Sequence, residues 1–211
     1  MSHQTQIAPA TAELLGDLAP LIEQLGSTDG LASLTDALAS LSQLHAAADL
    51  QSFLQNYHAK ILRPLELPAI QRAFNHAARN ELRELIAYDR QIAGESLLQN
   101  FSHASRRAGQ NQLLRLRPLR DHRLVQRYLA AVEQGEANGW HTLVYGLTLS
   151  VFSLPLRQGL CAYANQITRG FIDSAARTLA LSQTESNQIL NGFSATIPAT
   201  IESLFADSLL A

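Results

Sequence analysis

The run Trp140-His141-Thr142-Leu143-Val144-Tyr145-Gly146-Leu147-Thr148-Leu149-Ser150-Val151-Phe152-Ser153-Leu154-Pro155-Leu156 carries no Asp, Glu, Lys or Arg. Trp140, Leu143, Val144, Leu147 and Val151 fall on one helical face, and Tyr145, Leu149 and Phe152 on another. A helix that is apolar on two faces is buried on both. Pro155 suits the first turn of a second helix, because the N–H it lacks has no helical partner there. That helix is predicted to run to about Leu181. Leu160, Tyr163, Ile167, Phe171 and Ser174 form one stripe, and Cys161, Ala164, Thr168, Ile172, Ala175 and Leu179 a second. What remains polar is a ridge at four-residue spacing, Asn165, Arg169, Asp173 and Arg177. The reading is a long buried C-terminal spine helix at the centre of an all-α fold.

Outward from this pair, helical periodicity continues almost everywhere. Runs of alternating β-branched and aromatic residues are nearly absent. The expectation is a single-domain bundle of about ten helices over residues 1–211. Helices are predicted near 11–25, 31–45, 49–62, 68–78, 81–93, 95–116, 121–134 and 197–209, besides the pair above. Pro64 and Pro68 are expected to interrupt the chain between the third and fourth. Gln134-Gly135-Glu136-Ala137-Asn138-Gly139 reads as a mobile loop.

With 211 residues, 46% hydrophobic and 16% charged, the chain has the composition of a globular protein able to bury a sizeable core. One cysteine, Cys161, leaves no intrachain disulfide framework. No signal peptide or spanning segment is read, so a cytoplasmic location is expected. The net charge of −2 hides a segregation: residues 1–59 hold six acids and no Lys or Arg, while 60–127 hold thirteen basic and six acidic residues. Lys60 is the only lysine. Arginine makes forked, weakly hydrated contacts suited to protein interfaces; a genome-wide preference for Arg gives the same bias.

Catalytic patterns are not found. There is no phosphate-binding Gly-x-x-x-x-Gly-Lys and no Gly-x-Gly-x-x-Gly. The seven histidines are scattered without His-x-x-x-His spacing; His3 or His141 could serve only a metal site shared across a dimer axis. Cys161, among Leu160, Ala162 and Ala164, reads as an inert core thiol. The arginines and histidines of 103–127 (Arg106, Arg107, Arg115, Arg117, Arg120, Arg123, Arg127) could belong to a DNA-binding regulator. A pI near 6.4 and the break at Pro118 favour a solvated or protein-binding face instead.

Several short motifs, in order, resemble one family. These are Glu66-Leu67-Pro68, then Glu95-Ser96-Leu97 through Ser105-Arg106-Arg107-Ala108-Gly109, His141, Gly146, Leu154-Pro155, Tyr163, Arg177, Gln183 and Gln188-Ile189-Leu190. Over residues 49–192 the chain is similar to the urease accessory protein F (UreF) family. That resemblance implies an all-α, often dimeric, non-enzymatic scaffold. Such a scaffold joins accessory protein D (also called H) and the GTPase accessory protein G to load nickel into apo-urease, and has no cofactor of its own. It makes Arg106, Arg107, Arg169, Asp173, Arg177 and Gln183 the expected exposed protein contacts, and Tyr163 and Phe171 packing or dimer residues. Three departures are visible. The family's N-terminal Pro-Val-Gly…Ser-x-Gly-Leu-Glu segment is not read, Ser182 and Ala180 replace a glycine and a proline before Gln183, and no polar tail that engages accessory protein D is read. A paralogue serving a different assembly is the alternative within the family.

Overall fold

A computed structural model describes residues 44–209. The helices predicted near 11–25 and 31–45, and His3, lie outside the described residues. Every regular element among the described residues is helical. The elements are α1 (Ala47–Tyr57), a π-helical segment (His58–Glu66), α2 (Leu67–Ala78), α3 (Leu82–Ile92), a 3-10 helix (Ser96–Phe101), α4 (Ser102–Arg115), α5 (Arg123–Glu133), α6 (His141–Val151), α7 (Leu156–Leu179), α8 (Gln183–Ser194) and α9 (Ile197–Leu209). Because 43 residues precede Leu44, the expected total of about ten helices extends outside the described residues.

Two sequence expectations change here. The chain does not stop at Pro64: α1, the π-helical segment and α2 run on without a break from Ala47 to Ala78. Proline lacks an N–H, and its ring crowds the carbonyl one turn earlier. The backbone answers by widening to the longer π-type hydrogen bonding over His58–Glu66. Conversely, the expected long helix over 95–116 is two pieces, a 3-10 turn followed by α4.

The core has two halves. One gathers Leu50, Leu54, Ile70, Tyr145, Leu160, Tyr163, Ile167 and Phe171 around α1, α2, α7 and the last two helices. The other gathers Ala73, Leu85, Leu113, Val125, Tyr128, Leu143, Val144 and Leu147 around α2 to α6. Helix α6 contributes to both, and all nine residues from His141 to Leu149 are buried, as its two apolar faces require. The most extensive helix pairing is α2 against α6, with α4 on α6 next. The long helix α7 packs on α1, α2, α6, α8 and α9, so the centre that the sequence placed in α7 is shared with α6.

Gly146 explains the α2–α6 approach: a Cβ there would sit 2.4 Å from the Ile70 carbonyl oxygen. Only glycine lets two helices come that close. Helix α7 ends at Ala180, which takes the left-handed conformation at φ 51°. Glycine usually holds this position. Ser182 then caps α8. Its hydroxyl accepts from the Glu185 N–H at 3.2 Å, and the Glu185 carboxylate accepts from the Ser182 N–H at 2.9 Å. This reciprocal cap gives the family departure at Ser182 a local role. Among the described residues, no helix is long and apolar enough to cross a membrane.

Candidate functional site

The sequence singled out a polar ridge on α7 and the arginines of α4. Arg107, Asp173, Arg177 and Gln183 are exposed, and Arg169 is half-buried. Burial raises the Asp173 carboxyl pKa, and Arg169 and Arg177 offset part of that rise. Gln183 opens α8 and donates to the Asn187 side-chain oxygen at 3.1 Å. Arg106 differs from its neighbour: its Nε donates to the Ser102 carbonyl at 3.2 Å, and its guanidinium lies 5.7 Å from the Trp140 ring centre. It is engaged with its own fold. Tyr163 and Phe171 are 0% and 1% exposed within one chain, so both face the interior. Arg117 pairs with Glu133 within the 103–127 segment.

Beside α7 lies a groove of about 540 Å³. One wall is the face Gln51, Gln55, His58, Ala59, Leu62 and Arg63 of α1 and the π-helical segment; the other wall comes from α8 and α9. His58 is fixed in the wall, with Nε2 2.8 Å from the Thr168 hydroxyl and its ring 4.9 Å from that of Phe193. The Thr168 proton is committed to the Ala164 carbonyl at 2.7 Å. Thr168 therefore accepts, and His58 carries its proton on Nε2.

Under the other side of the same helical run is a buried polar centre that the sequence did not indicate. Glu66 is 7% exposed and accepts from the Tyr57 hydroxyl at 2.5 Å. On an α-helix, nine residues at about 100° each would place these side chains on opposite faces; the π-helical segment between them changes that phase. Tyr163 stands within electrostatic reach of Glu66 but makes no hydrogen bond of normal geometry. His141 is 0% exposed, with its ring 5.8 Å from that of Tyr163, and neither ring nitrogen has a partner. That burial takes it away from a metal site shared across a dimer axis, the one metal role the sequence left open for it. Among the described residues, no three His, Cys, Asp or Glu side chains gather into a metal-binding group.

Burial dominates the ionisation here. It pushes the Glu66 carboxyl up to about 7, against the pull of the Tyr57 hydrogen bond. It lowers His58 and His141 to about 4 each. The two kinds of shift act in opposite directions on stability. The Glu66 contribution is complete below its unfolded value near 4.5 and is lost as pH rises through about 7. The histidine contributions are complete above about 6.5 and are lost as pH falls towards 4. Between these values the unfolded chain takes up two protons at the histidines while the native chain keeps one at Glu66. These three groups therefore make stability rise with pH by roughly 1.4 kcal/mol per unit up to about 6.5, then decline slightly. Urea unfolding across pH 4.5–7.5 checks this. The parent's stability relative to Glu66→Gln should fall over that range; a difference that grows with pH contradicts the assignment.

The Gln134–Gly139 loop, read as mobile, is pinned instead. Asp89 on α3 is 0% exposed and accepts four hydrogen bonds. They come from the Tyr128 hydroxyl at 2.6 Å, the Asn138 backbone and side-chain nitrogens at 2.5 and 2.9 Å, and the Gly139 N–H at 2.9 Å. Arg90 adds a bond to the Glu136 carbonyl at 2.6 Å. This anchor fixes where α6 begins, and with it Trp140 and His141.

A family model described as UreF matches residues 44–194, well over half of the chain. No curated protein matches the sequence.

Proposed function

The chain belongs to the UreF family of urease accessory proteins, and from that premise we propose that it is a non-enzymatic scaffold for nickel insertion into apo-urease. It works by protein–protein contact with accessory protein D/H and the GTPase accessory protein G, as a homodimer in the cytoplasm. The observation that carries this reading is the family match over residues 44–194. The exposed positions along α4 and α7 support it, because a scaffold needs polar surface outside its core. Arg107, Asp173, Arg177 and Gln183 are the contacts assigned to partners, with Arg169 beside them and Arg106 positioning that face through Trp140.

Exposed charges at the rim of an interface act mostly on association rate and specificity. Arg107→Glu combined with Arg177→Glu should therefore weaken capture of accessory proteins D/H and G by about tenfold or more. The fold should be unchanged, since both side chains are exposed. Co-purification of the three proteins at low and high salt reads this directly. A parent chain that retains neither partner contradicts the proposed role. A double variant that binds as well as the parent removes these residues from the interface.

A further inference from the structure

The π-helical segment, α2, the 3-10 turn, α4 and the start of α6 enclose a small cavity of about 10 Å³. Its walls include Glu66, Ser105, Trp140 and Thr142. All four are more than nine-tenths buried: Glu66 at 7%, Ser105 at 8%, Trp140 at 3% and Thr142 at 6% exposed. The Trp140 Nε1–H is buried without a hydrogen-bond partner. An indole N–H can only donate, and a buried donor left unpaired is costly. Ser105 already accepts from the His141 N–H at 3.3 Å, which leaves its hydroxyl proton to give. The lining thus includes two side chains with a proton to donate and one carboxyl group, around a space the size of one water molecule. It is too small for any larger ligand.

We propose that one water molecule occupies this cavity as a structural ligand, accepting the Trp140 indole proton and donating to the Glu66 carboxyl group. The water would join the π-helical segment to the start of α6 through a polar contact that their own side chains do not complete. It would also give the carboxyl a solvating partner inside the core, beside the Tyr57 hydroxyl. The other titratable or charged groups around this centre are Tyr163 from α7, His141 from α6 and Arg106 from α4 over the Trp140 ring.

Trp140 is the only tryptophan, so the full-length chain gives a single indole N–H resonance to read. The expected result is a cross-relaxation peak between that proton and a long-lived water. Its chemical shift should move with pH as Glu66 ionises. In Glu66→Gln the water peak should persist and the pH dependence should vanish. No water peak, no pH dependence in the parent, or a pH dependence that survives Glu66→Gln overturns the proposal. Should Glu66→Gln fail to fold, a high-resolution crystal structure of the parent reads the site. An isolated density peak within hydrogen-bond distance of Trp140 Nε1 supports it, and none overturns it.

Discussion

Asp89→Ala is expected to lower the unfolding free energy by about 3–5 kcal/mol, because each buried donor left unpaired costs about 1–3 kcal/mol. The carboxylate gathers four donors from two distant parts of the chain: Tyr128 on α5, and Asn138 with Gly139 on the loop before α6. Removing it leaves the Tyr128 hydroxyl and the Gly139 N–H unpaired in the interior, and each such loss is costly. Asp89→Asn should recover only part of the loss. Its amide supplies one oxygen, and its NH₂ would face donors. Urea denaturation measures the change, and amide exchange over residues 134–139 shows whether the loop is freed. A loss under 1 kcal/mol would show that the anchor is dispensable.

Gly109→Ala is expected to cost about 3 kcal/mol, at the upper end for overpacking. The new Cβ would lie 2.1 Å from the Gly139 carbonyl oxygen and 2.7 Å from the His141 nitrogen. Both obstacles are backbone, so no side chain can swing aside. The gain in helix propensity, about 1 kcal/mol, offsets only part of this. Asp89 holds the loop from one side and α4 presses on it at Gly109, so the two sites share a partner. Neighbouring sites of this kind are not additive. In the Asp89→Ala background the loop can yield, and Gly109→Ala should cost less than in the parent. Equal costs in both backgrounds would separate the two contacts.

These two residues also show where the sequence could be read and where it could not. The burial of α6 was legible because its apolar residues repeat at the helical period on two faces, and the structure buries every residue from His141 to Leu149. Ala104, Ser105, Ala108 and Gly109 of α4, small residues at helical spacing, are all buried. Asp89 was not legible. It sits in an ordinary charged helix, and its partners lie 39 to 50 residues away. The one local hint is Asn138-Gly139, where Gly139 takes φ +71° and turns its N–H toward the carboxylate. Glu66 was hidden for another reason. Periodicity assumes α-helical spacing, and the π-helical segment between Tyr57 and Glu66 breaks that assumption. The proline that causes it was visible, but it was read as a stop.

The exposed contacts belong to a different class, because surface residues are not fixed by packing. The proposed function makes α4 and α7 the places to test. The most direct measurement is the nickel content of urease produced with the other accessory proteins, in the presence and absence of this chain. Nickel occupancy and activity are expected to rise severalfold when the chain is present, and to fall back with Arg107→Glu and Arg177→Glu together. Urease that is loaded equally well without the chain would contradict the proposed role.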